Sequence, residues 1–134
     1  MKRFAKYLIS GAVVLCASFV ASSPADAQIR RDMWFYNACA YPVEFVVAHK
    51  DSSNPWHTHG WYTLQSGRGS YFVDNGIRLT QLDGFSVYIY ARSLPNGLFV
   101  WQGNSQFRFQ GAVYGMREVH GTVATNGAFM AELC

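Results

Sequence analysis

Charged side chains are scarce in this chain, at 14% of 134 residues, and acids are scarcer than bases. The eight acids, Asp26, Asp32, Glu44, Asp51, Asp74, Asp83, Glu118 and Glu132, stand singly. A glycosidase works with two carboxylates about 5–10 Å apart, and no local pair offers them; only folding Glu44 against Glu118 would. A Gly-x-Ser-x-Gly nucleophile elbow is missing. Gly67-Arg68-Gly69-Ser70 is too short for a phosphate loop and no helix follows it. No window of helical length carries a 3.6-residue apolar period, which excludes a helical bundle. What remains is rich in rings: aromatic residues make up 16% of the sequence.

One long apolar run exists, and it lies at the start. Lys2, Arg3 and Lys6 precede the uncharged stretch from Tyr7 to Val20, and Ala25-Asp26-Ala27 supplies a small-x-small cleavage site. That order is a bacterial-type signal peptide, residues 1–27, and the run is short for a bilayer span. Cys16 follows Leu15, where a lipobox needs a small residue, so it reads as a removed apolar residue. Residues 28–134 then form a single exported domain, periplasmic or extracellular, of 107 residues (134 − 27). Without Lys2, Arg3, Lys6 and Asp26 the net charge falls from +3 to +1. A nearly neutral domain lacks the basic patch that nucleic acid requires, so none is expected as a partner. Two cysteines survive cleavage, Cys39 and Cys134. In an oxidising compartment their simplest fate is one disulfide; two free thiols or a link between chains are the alternatives.

After Ala27 the sequence alternates short apolar runs with turn residues: Asn54-Pro55, Ser66-Gly67, Asp74-Asn75-Gly76, Asp83-Gly84, Pro95-Asn96-Gly97, Gly103-Asn104 and Asn126-Gly127. Asn-Gly and Asp-Gly tolerate the positive φ of tight hairpins. Spacing near ten residues predicts an all-β domain, an antiparallel β-sandwich or flattened barrel of about eight short strands. Phe85, Val87, Ile89 and Ala91 alternate with Ser86, Tyr88, Tyr90 and Arg92, the clearest period of two. Val43–Ala48, Trp34–Asn37, Trp61–Leu64, Ser70–Val73, Tyr114–Val119 and Ala128–Leu133 read as further strands. Leu98–Trp101 and Phe107–Phe109 predict a hairpin across Gly103-Asn104.

Certain segments recur in a known order: Asn37-Ala38-Cys39-Ala40-Tyr41-Pro42-Val43, Trp56 to Gly67 with its Trp-x-x-x-Gly-Trp core, Tyr88-Ile89-Tyr90-Ala91, Trp101-Gln102-Gly103 and Phe107. In this order the chain resembles the bacterial domain-of-unknown-function family numbered ten thirty-six, small exported proteins with no settled activity. The resemblance spans nearly all of residues 28–134 and implies export and a compact domain, with no catalytic residues. That family places cysteines where this chain has Ser66-Gly67-Arg68-Gly69 and Arg108-Phe109. The Cys39–Cys134 pairing therefore comes from counting alone.

Two groups of residues carry candidate chemistry. His57-x-His59 places two imidazoles on one face if extended, as a Zn or Cu site requires, with His49 and His120 as further nitrogens. No carboxylate adjoins the pair, and Asn54-Pro55 suggests a loop, His49–Gly60, of solvated histidines. Trp56, Trp61, Tyr88 and Tyr90 with Arg92 form the second group. They either line an open sheet face that receives an envelope polysaccharide or protein, or pack half-buried against a second sheet. Trp61, in an apolar run, is expected in the core and Trp56 nearer the surface. The functional expectation is a non-catalytic, exported binding or envelope-associated domain without cofactor. A periplasmic metal-binding protein is the first alternative and a small hydrolase the second.

Overall fold

The computed structural model describes residues 28–52 and 55–134. The signal peptide, and Asn54 of the expected Asn54-Pro55 turn, lie outside the described residues. The described chain is all-β and sandwich-like, as expected, with no helix. One sheet contains β1 (Arg30–Asn37), β4 (Gly69–Tyr71), β7 (Thr80–Leu82), β12 (Thr122–Val123) and β13 (Phe129–Leu133). The other contains β2 (Val43–His49), β3 (His57–Leu64), β8 (Val87–Ser93), β9 (Val100–Trp101), β10 (Ser105–Phe109) and β11 (Ala112–Val119). A small ribbon, β5 (Val73–Asp74) and β6 (Ile77–Arg78), projects beside them. The strands outnumber the eight expected because β5, β6, β7 and β12 are only two or three residues long, too short to leave a periodic signal.

The alternation read in the sequence fills the space between the sheets. Met33 and Phe35 of β1 meet Val43, Phe45 and Val47 of β2 and Val87, Ile89 and Ala91 of β8, all buried. The Phe35 and Phe45 rings lie 5.3 Å apart at the centre. Removing each such ring from water contributes about 1.5–3 kcal/mol. The Cys39–Cys134 disulfide is present and ties the end of β13 to the residues after β1. Beside it the buried Asn37 side chain donates to the carbonyls of Tyr41 and Leu64 and accepts from the Cys39 amide.

Two expectations need correction. β1 and β13 run parallel, the one exception to antiparallel pairing among the described strands. The hairpin expected across Gly103-Asn104 does not form: β9 pairs with β8, and β10 pairs with β11. The tight turn lies instead at Gln110-Gly111, both with positive φ, as a two-residue hairpin requires. β11 then changes partner, pairing with β10 through Met116 and with β8 from Arg117 onward. Gly115 permits the crossing, because a Cβ there would stand 2.5 Å from the Gly103 carbonyl oxygen.

This switch curls the second sheet. In the order β10-β11-β8-β2-β3, its last strand approaches its first, where the Thr58 hydroxyl donates to the Arg108 carbonyl. The resulting half-barrel encloses a second apolar cluster, built on Val46, Ala48 and Met116, on the face of the sheet away from the main core.

Candidate functional site

The three histidines come together at one end of the sandwich. β2 and β3 pair so that His49 stands opposite His57 and Val47 opposite His59. With a period of two, all three imidazoles lie on the Val47 side of the sheet, at its rim. The loop expected over His49–Gly60 is therefore shorter: His49 ends β2 and His57 opens β3. Ring centres are 5.2 Å apart for His49–His59, 5.9 Å for His49–His57 and 6.2 Å for His57–His59. They share a cleft of about 440 Å³ with Asp51, Asp74, Arg30 and Arg78.

Each ring is anchored through one nitrogen. His49 Nδ1 lies 2.7 Å from the Thr80 carbonyl oxygen, which only accepts. Nδ1 therefore carries the proton and Nε2 is left with a lone pair. That Nε2 is buried and has no hydrogen-bond partner. His57 Nε2 meets the Asp51 carboxylate at 3.2 Å, and His59 Nδ1 meets Asp74 at 3.4 Å. The sequence showed no carboxylate beside the histidines. The fold supplies two, Asp51 from the β2–β3 connection and Asp74 from the β5 ribbon. Only Asp51, just beyond His49 in a hairpin, left a signal that could have been read.

Burial sets the protonation of the deeper rings. Desolvation pushes His49 down to about 4, against the Thr80 hydrogen bond, which favours the cation; His59 and His57 push the same way as burial and Asp51 opposes it. Desolvation also lowers His59, partly offset by Asp74. Both are neutral at pH 7, the form that donates a lone pair. His120 is not part of this group and lines a different cleft. Among the described residues, no three His, Cys, Asp or Glu side chains are placed to hold a metal ion as they stand.

The aromatic group is built into the half-barrel. Trp56 packs 5.2 Å from Phe107 and 5.6 Å from Tyr88; Trp61 packs on Tyr90 and Tyr114. Trp56, Trp61, Tyr88 and Tyr90 are half-buried contributors to the second cluster, not an open strip. They lie on the face away from the other sheet, and rings of the β10–β11 hairpin, Phe107 and Tyr114, pack over part of them. Trp61 is thus half-buried like Trp56 and not one of the buried core residues, contrary to expectation. Arg92 lies over Trp61, 4.3 Å from its ring centre, and its Nε is bonded to Glu44. Glu118 accepts from the Ser86 hydroxyl and stands opposite Tyr88, four residues along β8 from Arg92, which faces Glu44, so the fold does not bring the two acids together.

Among the described residues no helix is long and apolar enough to cross a membrane. Compared with protein families, curated proteins and solved structures, the chain has no match.

Proposed function

We propose that this domain is an exported, non-catalytic binding protein whose ligand is a divalent transition-metal ion, Zn(II) or Cu(II), taken up by His49, His57 and His59. The observation that carries the reading is the buried, unpartnered Nε2 of His49. A buried lone pair without a partner costs about 1–3 kcal/mol, and a metal ion relieves it. The three rings repeat a known pattern: a ligating histidine holds its other nitrogen on a carbonyl or carboxylate, which fixes tautomer and orientation. Thr80, Asp51 and Asp74, which each contact one of the rings, would serve as those outer groups. Imidazoles on one ion at about 2.0–2.1 Å have ring centres about 5 Å apart. The His49–His59 spacing meets this already, and closure requires His57 to move inward by about 1 Å on that geometry. Its outer position on the rim leaves room for that rotation. Three nitrogens leave a coordination position open to water or to an exchanging ligand. Export rests on the N-terminal charge, apolar run and Ala25-Asp26-Ala27, in keeping with the family resemblance.

Calorimetric titration of chelator-treated protein with Zn(II) and Cu(II), with metal analysis of the product, tests the reading. One ion per chain is expected, with binding lost in His57→Ala and His59→Ala. Asp74→Asn should weaken affinity about 10-fold or more, as outer-group removal does elsewhere. No stoichiometric metal, or binding indifferent to both histidine variants, would overturn it.

A further inference from the structure

A second cleft, which shares no lining residue with the histidine cleft, lies on the outer face of the first sheet. In β1, Met33, Phe35 and Asn37 are buried toward the core, so Trp34 and Tyr36 point outward. The outer face of a sandwich is ordinarily polar. Two large rings there, half-buried and two residues apart, are the exception that asks for an account. They are held in a set attitude. Gly69 of β4 pairs with Tyr36, and a Cβ on it would fall 2.0 Å from the Trp34 ring. The indole thus lies across the bare backbone of β4, in a space that any other residue would fill. The Tyr36 ring is parallel to it within 9°, with centres 6.1 Å apart.

Polar groups border the rings on the other side. β13 runs parallel to β1 and places Met130 beside Trp34 and Glu132 beside Tyr36; β12 adds Thr122 opposite Met130. With His120 these residues line an open cleft of about 420 Å³, within the range of small-ligand sites. Parallel rings with a carboxylate, a hydroxyl and an imidazole along one border match one chemistry well. A pyranose presents a C–H face that stacks on an aromatic ring and an equatorial belt of hydroxyls that seeks such acceptors. An organic cation would instead need rings enclosing it from several sides, and these two lie parallel. We infer that the Trp34–Tyr36 cleft binds a pyranose glycan chain, with the rings as its stacking platform and Glu132, Thr122 and His120 as hydroxyl partners. This site is separate from the histidine cleft and does not depend on the metal reading.

The test is titration of chelator-treated protein with cellohexaose, chitohexaose and soluble peptidoglycan fragments, following tryptophan indole resonances by NMR. The Trp34 signal is assigned with Trp34→Phe. A saturable shift of that signal is expected with at least one pyranose oligomer. Measured by calorimetry, because Trp34→Ala removes the reporting signal, Trp34→Ala and Tyr36→Ala should each weaken binding about tenfold or more, as loss of a ring anchor does, whereas Tyr36→Phe should retain it. Gly69→Ala keeps both rings but drives the indole off β4, so it should weaken binding as Trp34→Ala does, with an unchanged far-UV spectrum. If Gly69→Ala fails to fold, Tyr36→Ala against Tyr36→Phe decides. No shift with any pyranose, binding unaffected by Trp34→Ala, or saturation of the Trp34 signal by a trimethylammonium compound instead would overturn the inference.

Discussion

Acid should unfold this protein partly through one side chain, His49. Its imidazole is 1% exposed, and burial lowers it from the ordinary 6.5 to about 4. The folded state therefore binds fewer protons than the unfolded state between those values, and stability falls as pH drops through that window. Above pH 6.5 both states hold the ring neutral, and His49 contributes no pH dependence. Each unit is worth about 1.4 kcal/mol, so the interval of about 2.5 units removes about 3 kcal/mol. That is a large share of the ~5–15 kcal/mol that holds a domain together. His59 is lowered by burial as well and acts in the same direction, with Asp51, Asp74 and His57 facing the pair. A difference measurement separates them. Urea unfolding of wild type and His49→Gln, both with chelator, should be followed from pH 8 to pH 4. The wild type should lose about 3 kcal/mol more than the variant across that range, nearly all of it below pH 6.5. Should His49→Gln fail to fold, the NMR titration of the His49 ring in the wild type should stay neutral until close to pH 4. Parallel pH profiles, or a His49 midpoint near 6.5, would refute the reasoning and mean that water reaches Nε2.

Two further outcomes follow from packing. Replacing Cys39 and Cys134 by serine should cost about 2–5 kcal/mol in urea unfolding, since the bridge closes a loop spanning 95 residues; an unchanged midpoint would mean that the β1–β13 pairing alone holds the terminus. Trp56→Ala and Trp61→Ala should each cost about 2–3 kcal/mol, less than a fully buried Trp, because both rings are half-buried in one cluster; a much larger loss for Trp61 would place it in a true core.

The strands that build the sandwich were legible because each carries its own evidence. β8 alternates over seven residues and buries every second one, and β2 is a mostly apolar run of seven, buried on both faces at all but Glu44. The disulfide was legible by counting. What could not be read was where a strand changes partner. β11 shows only a run of eight residues, and nothing local says that it serves β10 in its first half and β8 in its second. Gly115 is the mark of that crossing, yet a lone glycine has many uses. For the same reason Asp74 was invisible as a partner of His59. It reaches the cleft because the β5–β6 ribbon projects there, and that is a property of the whole fold.

The histidine and tryptophan groups, adjacent in sequence, end on opposite faces of one strand, and a single irregularity separates them. In an unbroken strand His57, His59 and Trp61 would share a face. Here Gly60 and Trp61 together oppose Val46, since Phe45 pairs with Tyr62 and Val47 with His59. The added residue shifts the alternation, so His57 and His59 stay on the side of the main core while Trp61 turns into the half-barrel. A bulge needs room for backbone close to its partner. A Cβ on Gly60 would press to 3.0 Å on both the Phe45 carbonyl oxygen and the Val46 side chain. Glycine is what lets β3 come that near. His-x-His-Gly-Trp is therefore one device with two products. Its histidines reach His49 at the rim, and its tryptophan packs against Tyr90 and Tyr114 behind it. A strict period of two misplaces Trp61, because the residue that breaks the period is also the one that keeps the two groups apart.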